Sequence, residues 1–243
     1  MLPIPSPAEA TERLTRIRDA LLVAWRPPGT SGAETDTANL LRLPDEFFVM
    51  LNGLDARYGR TGALPDDDAT RLGDGGLLVL TELITVGQSL GASAPTSELN
   101  RLAVTVGDWI VRHDGRILTL APVVNGLALI ANELRDAQTL EELTLLMTGI
   151  VDAVAPDIAA DRDTTDDGRP WRVLHLNRAI VATRSHNTEL MSRVFDDLIQ
   201  RLPADASEFF REGARQMEVV NYPPKVRDVI NRYFHALTQH RLH

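Results

Sequence analysis

Apolar residues recur three and four positions apart along most of this chain, and almost nowhere do they alternate. That spacing gathers side chains on one face of an α-helix, whereas a half-buried strand needs a period of two. Leu14, Ile17, Leu21 and Trp25 form the first such stripe, and Met191, Val194, Phe195, Leu198 and Leu202 form a later one. Val226, Val229, Ile230, Tyr233, Phe234 and Leu237 form the last. The pattern predicts an all-α fold of about eight to ten helices, built as stacked antiparallel hairpins in a solenoid-like array or an irregular bundle.

Capping and breaking residues set the expected boundaries. Ser6-Pro7-Ala8-Glu9 reads as a capping box, with Ser6 at the cap and Glu9 reaching back to it. Pro27-Pro28-Gly29 ends that helix, and a second runs from Pro44 to about Arg57 with Phe47, Phe48, Leu51 and Leu54 inward. A third covers Asp74 to Leu90. Pro95-Thr96-Ser97-Glu98 opens the next, and His113-Asp114-Gly115 closes it, with Gly115 as the cap glycine and His113 near the negative end of the helix dipole. An apolar helix follows over 117–134, and Thr139-Leu140-Glu141-Glu142 reads as a second capping box for a helix ending near Pro156. Four more helices are expected at 171–185, 188–201, 204–219 and 223–240. Asp68 is expected to cap a short helical turn. Segments 27–42, 59–68 and 161–170 are rich in Gly, Pro, Thr or Asp and read as mobile loops within a single domain spanning 1–243.

Composition narrows the function classes. Aromatics are 5% of the chain, so Leu, Val, Ile and Ala must build the core. The net charge of −9 argues against a general nucleic-acid binder, which needs a basic surface to displace counterions. The charge is uneven: residues 1–170 carry 14 Arg and 26 Asp+Glu, net −12, and residues 171–243 carry 11 basic and 8 acidic residues, net +3. Lys225 is the only lysine. With no cysteine there is no disulfide and no thiolate chemistry. The first residues, Met1 to Glu12, lack the apolar core of a signal peptide. The longest uncharged run, Ile117 to Asn132, is too short to span a bilayer comfortably. The reading expects a bacterial cytoplasm and no membrane.

A periodicity is visible at longer range. Leu99-Asn100-Arg101 and Leu176-Asn177-Arg178 head similar helices, each with Val five residues after the Leu (Val104, Val181), and Leu140 opens a helix of like phase between them. Residues 174–203 resemble a tetratricopeptide-type helical hairpin, with Phe195 in the second helix and Pro203 eight residues later. Met191 and Leu198 stand where that motif has small residues, and the first helix lacks its aromatic and glycine signature. The resemblance implies helical pairs stacked in a right-handed array; it identifies no specific family.

Familiar site motifs fail one by one. His113-Asp114 looks like the metal centre of an all-α phosphohydrolase superfamily, but that chemistry needs an upstream histidine, and His113 is the first in the chain. A calcium loop starting at Asp163 would place Thr165, Asp167 and Gly168 well, yet its twelfth position is Leu174 where a bidentate Glu is required. No histidine has a glutamate three residues before it, as di-iron bundles demand. The zinc-protease, phosphate-loop and Gly-x-Ser-x-Gly patterns are absent, and Gly73, Gly75 and Gly76 follow no strand. His235, His240 and His243 cluster at a fraying end. The expectation is no cofactor and no metal.

One stretch stays open. Arg172, Asn177, Arg178, Arg184 and His186 crowd a single helix, and Tyr222 sits in the turn Asn221-Tyr222-Pro223-Pro224. Such a helix can line a groove for a carboxylate or phosphate. Alternatively the arginines bridge to acids on adjacent helices, Asn187 caps the next helix, and Tyr222 belongs to a rigid turn. The first functional expectation is a protein-interaction or scaffold module, since arrays of helices offer long concave surfaces. Its rival is a small anionic-ligand binder, or an enzyme without a familiar motif, at the Arg178–His186 helix. A homodimer is a third.

Overall fold

The computed structural model describes residues 2–25, 33–160, 166 and 168–239, and side chains except those of 33–45, 66 and 239. Among these residues there are eleven α-helices and no strand. They are α1 Pro7–Ala24, α2 Ala33–Tyr58, α3 Asp68–Ser89, α4 Ser93–Arg112, α5 Ala121–Glu133, α6 Ala137–Ala153, α7 Pro156–Ala159, α8 Pro170–Ser185, α9 Thr188–Arg201, α10 Pro203–Val219 and α11 Pro224–Gln239. The all-α expectation holds. No helix among the described residues is long and apolar enough to cross a membrane.

The chain divides into two compact units where the sequence suggests one domain. One comprises Pro3–Glu133 and Gly149–Arg162, the other Met1–Leu2, Leu134–Thr148 and Asp163–His243. They are called here the N-terminal and C-terminal units. In the N-terminal unit α4 packs on α1, α3 and α5, and α1 on α2. Trp109, Leu99, Leu102, Val106 and Ile110 of α4 are all buried, so α4 is the spine of that core. Gly126 lets α5 cross it closely: a Cβ there would sit 2.0 Å from the Asn100 carbonyl oxygen. In the C-terminal unit α8 packs on α9, and α10 on α11 and α9. The Leu-Asn-Arg segments thus fall in helices with different surroundings, α4 with three helical neighbours and α8 with α9.

Several boundaries differ from expectation, each for a local reason. Helix α2 starts at Ala33, so residues 33–42 are helical and not part of a loop; residues 26–32 lie outside the described set. Alanine, leucine and arginine in that stretch are good helix formers, and the internal Pro44 costs one backbone hydrogen bond without ending the helix. Asp68 is the first residue of α3, preceded by a 3-10 turn Pro65–Asp67. Helix α4 begins at Ser93, with Pro95 in the first turn where its missing N–H costs nothing. Helix α5 begins at Ala121, not 117, because Pro122 belongs in a first turn. Ile117 instead donates to the Ala153 carbonyl at 2.8 Å and accepts from Ala155 at 2.9 Å. Helix α6 is capped by Asp136, which accepts from the Thr139 N–H at 2.8 Å, so Thr139 is a capped residue and not the cap. At the end of α4 the left-handed residue is Asp114, φ 57°, and not Gly115. Asp114 N–H returns to Val111 O at 3.2 Å and Gly115 N–H to Ile110 O at 2.9 Å, the paired bonds of a Schellman end. The calcium-like positions Asp163, Thr165 and Asp167 lie outside the described residues.

Candidate functional site

Helix α8 carries the residues singled out by sequence, and it is buried on most of its circumference. Trp171, Leu174, His175, Arg178, Ala179, Val181 and Ala182 are all inward, which leaves little room for an open polar groove along it. Arg178 is only 2% exposed, with its guanidinium on Asp197 of α9. Arg172 donates to Asp205 of α10 at 2.6 Å. Arg184 donates to the Leu134 carbonyl at 2.6 Å. Asn177 is half-buried. Asn187 caps α9, accepting from Leu190 N–H at 3.1 Å. Three nominated arginines therefore serve the packing of the C-terminal unit. Around Arg178, burial pushes the His175 imidazole down to about 3; Arg178 adds to the shift and Asp197 opposes it. Burial works to raise the Asp197 carboxyl, but hydrogen bonds from Arg201 and Arg178 outweigh it and hold the group below the usual carboxylate range. His175 Nε2 and Arg178 Nε have no hydrogen-bond partner.

His186 and Tyr222 go elsewhere. Helix α8 ends on His186 in the left-handed conformation, φ 58°, and its ring meets Tyr222 edge-on at 5.7 Å. Tyr222 then forms one wall of a pocket of about 270 Å³ between α8, α10 and α11. Ile180 and Thr183 of α8, Phe209 and Met217 of α10 and Ile230 of α11 supply most of its surface. Phe209 is held at 5.2 Å by Phe210 and at 6.0 Å by Phe195, so that wall is braced by an aromatic cluster. Gly213 leaves the space open: a Cβ there would lie 3.5 Å from Ile230, an ordinary contact. The polar groups of the wall are Thr183, Glu212, Gln216 and Tyr222. Hydrogen bonding from Gln216, at 2.8 Å, and the nearby Arg215 and Arg211 hold the Glu212 carboxyl below its ordinary range. The sequence reading singles out Tyr222, and the structure adds Glu212 and Gly213 to the same wall. The available signal was a glycine inside the helical pattern of α10, a residue that costs helix stability unless its position has a packing or functional reason.

A second polar cluster lies in the N-terminal unit. His113 Nδ1 is 2.9 Å from the Gly62 carbonyl oxygen and Nε2 is 2.9 Å from Asp55 Oδ1. Asp55 also accepts from Trp109 Nε1 at 2.7 Å and from Arg112 at 3.5 Å. Gly62, at φ 105°, returns its own N–H to the Arg112 carbonyl at 2.8 Å. Both imidazole nitrogens face acceptors and the ring is wholly buried, so the dyad holds the 59–64 loop on the end of α4 and offers no nitrogen to a substrate. Among the described residues no group of three His, Cys, Asp or Glu is placed to hold a metal ion.

Two larger clefts lie elsewhere among the described residues. One of about 500 Å³ between α1 and α4 is open and holds Arg13, Arg16 and Glu98, with Glu98 shared between Arg13 and Arg101. The other, about 430 Å³ between α10 and α11, runs to Thr238 near the end of the described residues, and its charges, Glu208 and Arg211, pair with each other. No protein-family model, no curated protein and no solved structure matches this chain.

Proposed function

We propose that this chain is a small-ligand-binding helical protein, with its site in the pocket between α8, α10 and α11. The observation that carries the reading is the combination of a mostly apolar wall with four polar residues in its lining, the usual make-up of a small-molecule site. The anionic version of this reading, centred on Arg172, Arg178 and Arg184, loses support because each of those arginines is engaged within the C-terminal unit. The test is a methyl NMR titration with small bicyclic aromatic fragments. Saturable shifts confined to Ile180, Met217 and Ile230 are expected. Uniform drift across all methyls, or none, overturns the reading.

The interaction-module reading, the first expectation from the sequence, becomes the second here, and one specific observation favours it. Ile180, 47% exposed, and Val220, 45% exposed, belong to the pocket wall, and Val219, next in the chain, is 79% exposed. A photo-crosslinker at Val219 that captures one protein in stoichiometric yield, while one at exposed Leu78 captures none, would move that reading ahead.

A further inference from the structure

We infer that this pocket takes a cationic ligand, a small molecule with an apolar ring-sized body and a protonated amine held at the Glu212 carboxylate. The inference rests on the ligand-binding reading of the same pocket and adds the charge and size of what fills it.

Size comes first. A dry cavity of about 150 Å³ lined by Leu, Ile and Phe holds a benzene molecule. This pocket offers about 270 Å³, room for a bicyclic ring with a short arm. Charge comes second. Among the described residues, Glu212 is the only formally charged one in the wall, and no arginine, lysine or histidine lines it. The nominated arginines are turned to Asp197, Asp205 and Leu134, and the basic residue nearest the acid, Arg215, pairs with Glu212 from outside the wall. The other polar groups favour a donor too. The Thr183 hydroxyl donates to the Ala179 carbonyl at 2.9 Å, which leaves its lone pairs to accept. The Gln216 amide donates to Glu212 at 2.8 Å, which leaves its carbonyl oxygen. The Tyr222 and Phe209 rings are also in the lining, and aromatic rings attract a cation. An anion would have to approach Glu212 against its charge. Arg215 is the present counter-ion of Glu212, but at 73% exposed it can return to water at little cost.

The experiment is isothermal titration of the full chain, at low salt, with three probes that share one bicyclic body: tryptamine, indole and indole-3-acetate. Tryptamine is expected to bind roughly fivefold more tightly than indole, the advantage of one exposed ion pair, with indole-3-acetate weakest. Glu212→Gln should close the gap between tryptamine and indole and leave indole unchanged. Gly213→Val should weaken all three without lowering the melting temperature. Should valine unfold the chain, Gly213→Ala, whose added carbon meets only Ile230, carries the same comparison. Equal binding of the three probes, or an acetate that binds best, overturns the cationic class while leaving the pocket in place. Absence of binding by all three, or indifference of all three to Gly213 replacement, overturns the pocket reading beneath it.

Discussion

Each unit places a tryptophan four residues before a histidine on one helix, with the rings in contact: Trp109 and His113 at 4.7 Å, Trp171 and His175 at 4.2 Å. Each also sets an arginine and an aspartate from elsewhere in the unit beside that histidine. The outcomes are opposite. In the N-terminal unit Asp55 receives Trp109, His113 and Arg112, and both nitrogens of His113 are occupied. In the C-terminal unit Asp197 is taken by Arg178 and Arg201, His175 Nδ1 is 3.8 Å from it, and His175 Nε2 has no partner. Similar residue types thus build a satisfied hydrogen-bond network in one place and a tolerated burial in the other. What separates them is the distance from carboxylate to ring, 2.9 Å from Asp55 to His113 and 3.8 Å from Asp197 to His175.

Three experiments break or sharpen that contrast. The largest effect is expected from Asp55→Ala, which takes the acceptor from the Trp109 N–H and from the His113 ring while Arg112 keeps Asp108 at 2.9 Å. A loss of about 2–6 kcal/mol follows for two buried groups left without an acceptor, at about 1–3 kcal/mol each, a large share of a total stability of about 5–15 kcal/mol. Urea unfolding followed by circular dichroism measures it, and a loss under about 1 kcal/mol would show the network to be idle. Next comes the pair His113→Leu and His175→Leu. The first should cost about 2 kcal/mol, because the Gly62 carbonyl and Asp55 lose the buried imidazole that sits between them. The second should stay within about 1 kcal/mol of the parent, since leucine abandons no good hydrogen bond. Equal costs would erase the distinction between the clusters.

The smallest effect per step is the response to pH, at most about 1.4 kcal/mol per unit for one proton. The His175 pKa is about 3 in the folded chain, against 6.5 for an ordinary histidine. Between those values the unfolded state binds the extra proton and the folded state does not. Stability is therefore complete above about 6.5 and declines as pH falls toward 3. His175→Leu should remove that share of the decline; urea midpoints at intervals from neutral to acid pH, for parent and variant, give the comparison. A variant that tracks the parent in acid would clear His175 of the effect.

Much of the fold is legible in the sequence because it is local. The Ser6–Glu9 capping box forms as read, with the Glu9 N–H donating to Ser6 at 3.3 Å and the Ser6 N–H to Glu9 at 2.7 Å. Helices α8 to α11 begin and end within one residue of their expected limits, since Pro170, Asn187, Pro203 and Pro224 punctuate them. The misreadings share a cause. Asp136 and Thr139 are both acceptable caps in sequence, and only the chain's path chooses between them. The start at Ala33 needs the helix to run through a proline, which pattern alone discourages. The site is less legible still. Arg178 and Asp197 are 19 residues apart, and Tyr222 meets Thr183 and Gly213 only through the packing of α8, α10 and α11. A polar stripe on a helix looks the same whether it faces water or a buried carboxylate, and nothing in α8 itself distinguishes the two.

The His113 ring has a further consequence in a chain that contains no cysteine. Through its two nitrogens it joins position 113 to positions 55 and 62 at once. It therefore acts as a three-way staple, closing one short loop between 55 and 62 and two long ones back to 113. Closing long loops is what a cystine does for a secreted protein, where most of the gain comes from restricting the unfolded chain. Here the restriction applies only while the fold exists, so the staple adds nothing to the order of the unfolded chain and needs no oxidant to form.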